Sequence, residues 1–338
     1  MSESSPIKIG IVGCGAIAQI VHLPILAELE GATVSAVCDP DPRRAETVAG
    51  RFQIRSVCAG IDELLEHPDL QALIVCSPNY LHASHSEQAL RAGKSVLCER
   101  PLGVSREQVT ALLEAAGACG CTLMVAHNHR YRPDAWALRG FVDKGELGEI
   151  FHINGNWQRR RIRRPRRGDW RRDREQAGGG VLMDLGVTTL DLGLWLLGYP
   201  KPERVTAYLD DLDDDGLEDS AAVFLRLEGN LSFSVQVSWD LVASADRYSV
   251  VCLGTRGSGS LSPFAVEKES ADGVVDVTPK LAPGTENVYT ASYRRELDHF
   301  VSAVRGDSEV PLPREQAVLL GIVDACYRSA EEGREIVL

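Results

Sequence analysis

Long apolar runs are missing from this sequence. No stretch approaches the roughly 18–20 apolar residues that cross a bilayer, and the opening residues, Met1 to Lys8, lack the apolar centre of a signal peptide. Positive charge is in deficit too. The formal net charge is −12, whereas binding to phosphate backbones needs a basic surface, so nucleic acid is not an expected partner. The nine cysteines form no Cys-x-x-Cys pair, which argues against both a disulfide framework and a zinc site. Cys14, Cys38, Cys76 and Cys98 are expected to be small buried thiols. These absences describe a cytoplasmic chain with no membrane contact and no metal.

What is present is enough for two cores. A chain of 338 residues exceeds one comfortable domain. Short apolar segments at 7–13, 33–38, 72–76, 95–98 and 122–126 alternate with helical patterns near 42–51, 61–66, 80–92 and 105–119. That alternation predicts a doubly wound parallel sheet with helices on both faces. After about residue 150 the pattern changes. Strands at 149–158, 203–209, 220–228, 230–239 and 246–253 follow one another more directly, with helices at 181–197 and 312–332. This predicts an α+β domain on a large, mainly antiparallel open sheet. The expected division is 1–123 and 124–338. If the sheet's outer face carries Phe233, Val235 and Val237, that apolar patch implies a homodimer or homotetramer.

The first turn reads Gly13-x-Gly15-x-x-Ala18 between a strand and a helix. The first glycine permits the tight turn, the second lets the backbone approach a pyrophosphate, and the alanine keeps helix and strand close. The helix N-terminus then offers unpaired N–H groups to the phosphates. The second strand ends at Asp39, placed to accept the adenosine ribose hydroxyls and to repel a 2′-phosphate. This is the pattern of a Rossmann domain for NAD. Arg43 and Arg44 are the residues that would receive the phosphate of NADP, which the acid makes the less favoured cofactor.

With these residues in place, the chain resembles the glucose–fructose oxidoreductase / inositol dehydrogenase (Gfo/Idh/MocA) family from about residue 7 to its end. Ser77-Pro78-Asn79 with His82 resembles the family's strand-end loop. Ala92 to Pro101 resembles its Glu-Lys-Pro signature, and Asn128 to Pro133 and Gly145 to Ile150 resemble its entry into the second domain. Trp170-Arg171, Gly178-Gly179-Gly180 and Asp184-x-Gly186 follow in order. The resemblance implies a second domain facing the nicotinamide and hydride transfer with a small substrate, often a sugar or polyol. It implies cofactor contacts from Gly13, Gly15, Ala16, Ile17, Asp39, Arg43, Ser77, Asn79, His82, Glu99, Arg100, Trp170 and Arg171. It also implies a cis peptide at Arg100–Pro101.

Two positions depart from the family pattern. Arg100 stands where the family has lysine, and Thr188 where it has the histidine four residues after Asp184. Neither can act as a general base: a guanidinium, with a pKa above about 12, stays protonated at ordinary pH, and a threonine hydroxyl is no base either. Asp184, Thr188 and Asp191, spaced by four and three, are expected on one helix face. Asp184, and after it His129 or Tyr131, are the candidates for proton transfer; His127 shares the same strand end. Ten arginines lie between 159 and 174 and seven acids between 210 and 219. Pairing within the protein, or solvation, is the expected use of these runs, ahead of recruiting an anionic substrate. The leading reading is an NAD(P)-dependent oxidoreductase of a small polar, sugar-like alcohol or carbonyl, neutral or anionic. The alternatives are a cofactor-binding sensor without turnover, and a redox-neutral enzyme with tightly held NAD.

Overall fold

Each apolar segment of the first 126 residues becomes a parallel strand in the computed structural model, which describes residues 5–161, 170–211, 216–281 and 286–338. The strands are β1 (Ile7–Val12), β2 (Ala32–Cys38), β3 (Ser56–Cys58), β4 (Ala72–Val75), β5 (Ser95–Glu99) and β6 (Leu123–Ala126). They pair in the order β3-β2-β1-β4-β5-β6, all parallel. All four β4 side chains are buried, as an unbroken apolar run covered on both faces requires. Local chemistry sets the helix ends. Asp41 caps Pro42–Phe52 by accepting from the Arg43 and Arg44 amides, with proline at the first helical position. Ser105 caps Arg106–Cys119, which ends on left-handed Gly120.

The chain divides into two compact units. One is Met1–Asn128 with Glu286–Gln316; the other is His129–Thr285 with Ala317–Leu338. The division at 123/124 therefore needs correcting, because the helix Val288–Arg305 belongs to the first unit. Its Arg294 pairs with Glu28 at 2.7 Å, Arg305 donates to the Gly31 carbonyl at 2.6 Å, and Ser292 accepts from Asn128 at 3.0 Å. These are contacts between residues far apart in sequence, which segment-by-segment patterning does not register.

The second unit holds β7 (Ile150–Arg160), β8 (Pro202–Asp210), β9 (Ser220–Leu227), β10 (Leu231–Leu241) and β11 (Arg247–Gly254). Shorter strands follow: β12 (Gly257–Leu261), β13 (Ala265–Ser270), β14 (Gly273–Asp276) and β15 (Ile336–Val337). The nine form one sheet, ordered β14-β13-β12-β11-β7-β10-β9-β8-β15. Every pair is antiparallel except β7 with β10. The helix Pro133–Asp143, opened by its proline, lies outside the elements expected from patterning.

Phe233, Val235 and Val237 do not lie on an outer face. All three are buried, and a Cβ on Gly193 of the helix Val187–Leu196 would stand 2.3 Å from the Phe233 ring. Their alternation with Ser232, Ser234 and Gln236 is as expected, but the apolar side meets a helix of the same unit, so that basis for self-association falls away. One correction concerns apolar length. The helical run Arg174–Leu196 is long and apolar enough to span a membrane by length and composition, yet 94% of its most apolar window is buried inside the protein.

Candidate active site

In the first unit the site begins at the turn after β1. Gly13 has a φ of +94°, and a Cβ there would lie 2.6 Å from the Cys76 carbonyl, so only glycine fits. A Cβ on Gly15 would meet nothing within 4 Å, leaving the open space that a pyrophosphate needs beside the backbone. Ala18 is fully buried, while Ala16 is exposed and Ile17 half-buried. The helix starts as a π turn, Ala18–His22, before continuing as Leu23–Glu28. These residues fit a dinucleotide.

Asp39 is buried. One carboxylate oxygen accepts the Cys14 amide at 2.8 Å and the other the Asp41 amide at 2.9 Å, tying the glycine turn to the end of β2. Arg44 reaches the same carboxylate at 3.2 Å, so this guanidinium is engaged by the acid. The Arg43 amide serves the helix cap, and its residue is exposed. A 2′-phosphate would meet the Asp39 charge at close range. We expect NADP(H) to bind more weakly than NAD(H) by at least about 1 kcal/mol; calorimetry on the cofactor-free protein checks this, and equal or tighter binding of NADP(H) would refute it.

The cysteines behave as expected. All nine are free, and Cys14, Cys38, Cys76 and Cys98 are buried. Burial, with help from Asp39, pushes the Cys14 thiol up to about 12, far from the thiolate that reactivity requires.

Past β4, Ser77 and Asn79 are buried. The Ser77 hydroxyl contacts His85 Nδ1 at 3.0 Å, and burial, then the neighbouring His82, brings the His85 imidazole down to about 4. His82 is itself buried, with Nδ1 2.6 Å from the Pro101 carbonyl and Nε2 2.7 Å from the Ser77 carbonyl. Glu99 receives His22 Nε2 at 2.7 Å on one oxygen and the Arg100 amide at 3.3 Å on the other. Burial by itself would raise the Glu99 carboxyl, but His22, Arg100 and His82 outweigh it and hold the group below its ordinary value. His82 and Glu99, expected as cofactor contacts, thus have their polar atoms on the protein. The Arg100–Pro101 peptide is cis, as the resemblance implies, and Arg100 is half-buried.

In the second unit, His129 sits beside Trp157 and Tyr248, with ring centroids at 5.3 and 5.5 Å. Its Nδ1 is 3.3 Å from the Tyr248 hydroxyl, which burial pushes well above the ordinary tyrosine value. Tyr131 is half-buried in the turn Asn128–Tyr131. Trp170 and Arg171 form a short helix with Arg172, the Arg171 guanidinium 4.4 Å from the Trp170 ring.

Asp184 lies in a second π turn, Leu182–Gly186; such turns often mark functional positions. It accepts from the Trp239 indole at 3.1 Å and lies 3.8 Å from Arg159, with its side chain 20% exposed. Thr188 is buried, its hydroxyl 3.5 Å from the Asp184 carbonyl. Asp191 is buried and salt-bridged to Arg130 at 2.5 Å, with Tyr199 also donating to it. Asp184 and Asp191 thus have different partners, while the Thr188 hydroxyl lies over the Asp184 carbonyl four residues earlier.

Among the described residues, the arginines that open the basic run have separate partners. Arg159 faces Asp184, Arg161 pairs with Asp240, and the Arg160 amide donates to Asp246. Residues 162–169 and 212–215 lie outside the described residues. Among the described acids, Glu218 accepts the Gly180 and Leu182 amides and the Tyr327 hydroxyl. A Cβ on Gly180 would stand 2.2 Å from the Glu218 carbonyl, so close packing accounts for that glycine. Sequence reasoning missed His22, Trp157, Trp239 and Tyr248. A histidine inside the apolar stretch Ile20-Val21-His22-Leu23 was the one available signal.

A glycine turn backed by a buried strand-end acid, on a six-stranded parallel sheet, defines a dinucleotide-binding Rossmann domain. Residues 7–127 match the family model described as "Oxidoreductase family, NAD-binding Rossmann fold", and residues 139–338 that of its C-terminal alpha/beta domain. The chain belongs to the Gfo/Idh/MocA family. It is 32% identical to an uncharacterized oxidoreductase, ORF334, of Rhizobium meliloti, across 97% of this chain and 98% of that protein. It is 28% identical to inositol 2-dehydrogenase of Rhizobium meliloti strain 1021, across 98% of both. Among solved structures it is similar to GenD2 from gentamicin A biosynthesis, in complex with NAD. That match has a TM-score of 0.86 and 25% identity, and covers 100% of this chain and 98% of that one.

Proposed function

We propose that the chain is an NAD-dependent dehydrogenase of a sugar or cyclic polyol. The observation that carries this reading is the state of Asp184: a partly exposed carboxylate oriented by an indole N–H, while the neighbouring acid Asp191 is consumed in a buried ion pair. The similarity to an inositol dehydrogenase and to an NAD-bound enzyme of gentamicin A biosynthesis supports a polyhydroxylated substrate.

Bound NAD supplies the hydride acceptor. The remaining work belongs to the chain. As the substrate C–H bond gives up its hydride, the hydroxyl proton passes to Asp184, and the C–O bond becomes a carbonyl. Arg100 donates to the oxygen as negative charge develops there and takes no part in proton transfer. Gly13, Gly15 and Asp39 hold the dinucleotide. Among the described residues the Arg159 and Arg161 guanidiniums already face Asp184 and Asp240, which favours a neutral substrate over an anionic one.

The test is NADH formation by the wild-type protein with a panel of inositols, hexoses and sugar acids. Turnover with a neutral polyol or sugar is expected. No turnover with any member would favour the non-catalytic sensor, and release of NAD on denaturing such an inactive protein would favour the redox-neutral enzyme.

A further inference from the structure

His82 is held between two acceptors. Its Nδ1 lies 2.6 Å from the Pro101 carbonyl oxygen and its Nε2 2.7 Å from the Ser77 carbonyl oxygen, and the residue is 2% exposed. A neutral imidazole has one N–H and one lone pair. In that form one of these contacts would set a lone pair against a carbonyl oxygen, at a separation typical of a strong hydrogen bond. Backbone carbonyls cannot turn into donors, and among the described residues the ring has no other hydrogen-bond partner. Only the doubly protonated ring satisfies both.

We propose that His82 is carried as a buried imidazolium that clasps the Ser77–Asn79 turn to the Arg100–Pro101 turn, making it a positioning residue for both loops. Burial, the largest influence, together with the Arg100 guanidinium, lowers the His82 imidazole below its ordinary value, while the two carbonyls and the Glu99 carboxylate work in the opposite direction. Against that lowering stand two short contacts to carbonyl oxygens, shielded from water, which a neutral ring cannot satisfy together. The surrounding charges agree. Glu99 is a buried carboxylate held ionised first by His22, then by Arg100, with His82 adding to both. His85, on the same helix, is kept neutral at ordinary pH by burial and by His82. Ser77 and Arg100 thereby acquire fixed backbone positions on either side of one charged ring.

The proposal stands on the first unit's geometry and needs no turnover, so it can fail while the dehydrogenase reading survives, and the reverse. The direct test is nitrogen-15 NMR of the cofactor-free, histidine-labelled protein at pH ~7.5, about one unit above the ordinary histidine value. Both His82 ring nitrogens are expected to show directly bonded protons. Loss of the signal in His82→Gln, or backbone correlation in the wild type should that variant not fold, assigns it among the eight histidines. A neutral ring with a single protonated nitrogen overturns the proposal.

The second arm measures NADH binding by fluorescence against pH. An imidazolium clasp is intact below the His82 pKa and lost above it, so wild-type affinity should fall as pH rises through deprotonation. His82→Gln should weaken binding by roughly ten- to a hundredfold, the range for losing a hydrogen bond to a charged group, and should abolish that pH dependence. Unchanged affinity with an unchanged pH profile would show that the ring positions neither loop, and would overturn the proposal.

Discussion

Replacing Arg100 by alanine is expected to lower kcat by roughly 10²–10³, the range for removing one preorganised donor from a developing oxyanion, while leaving NAD affinity nearly intact. The guanidinium is charged at every accessible pH, so the defect should be the same across the pH profile. The backbone at this position is secured independently, since the Glu99 carboxylate accepts the Arg100 amide. Side-chain removal should therefore spare the fold, which a thermal melt would check. Arg100→Lys installs the residue that the family resemblance implies at this position but not the planar, forked donor set, and it should also impair the native reaction. If Arg100→Ala turns over like the wild type, Arg100 does not touch the reacting oxygen.

Asp184→Asn should lower kcat by roughly 10²–10⁴, the usual contribution of a positioned general base. The amide oxygen can still accept the Trp239 indole N–H that holds the carboxylate, so the substitution tests chemistry more than packing. The sign with pH follows directly. In alcohol oxidation the ionised carboxylate is the active form, so wild-type kcat falls as pH drops through the Asp184 ionisation, and that acid limb disappears in the variant. A limb that persists would transfer the proton-accepting role to His129 or Tyr131. If kcat does not change, Asp184 serves only as the partner of Arg159 and Trp239.

Much of the fold is readable because it rests on short-range rules. Five of the six strands of the first sheet lie within a residue or so of where patterning expects them, since an apolar run bounded by turn residues has few alternatives once helices cover both faces; the three-residue β3 is too short to show in the pattern. Gly13 and Gly15 are readable for a related reason: a φ of +94° and a close-approach turn admit almost no other residue. The helical stretch expected at 181–197 is found as Leu182–Gly186 followed by Val187–Leu196. Its opening is a π turn, which nothing in the local composition announces.

The side-chain roles are much less legible. His82 and Glu99 look like ligand contacts because they lie in motifs that border the cofactor. The structure gives their polar atoms to Ser77, Pro101, His22 and Arg100. Phe233, Val235 and Val237 share one face, as their alternation implies, but a helix of the same unit covers that face.

Residue order alone was enough for the two-domain class, the parallel and antiparallel sheets, and the dinucleotide turn, because each depends on periodicity or backbone conformation within a few residues. Long-range packing settled which polar groups are occupied by the protein. His22 meets Glu99 across 77 residues, Arg130 meets Asp191 across 61, and the helix Val288–Arg305 returns to the first unit. A buried polar atom takes whichever partner the completed fold brings within hydrogen-bond reach, and that partner's distance along the chain leaves no local trace.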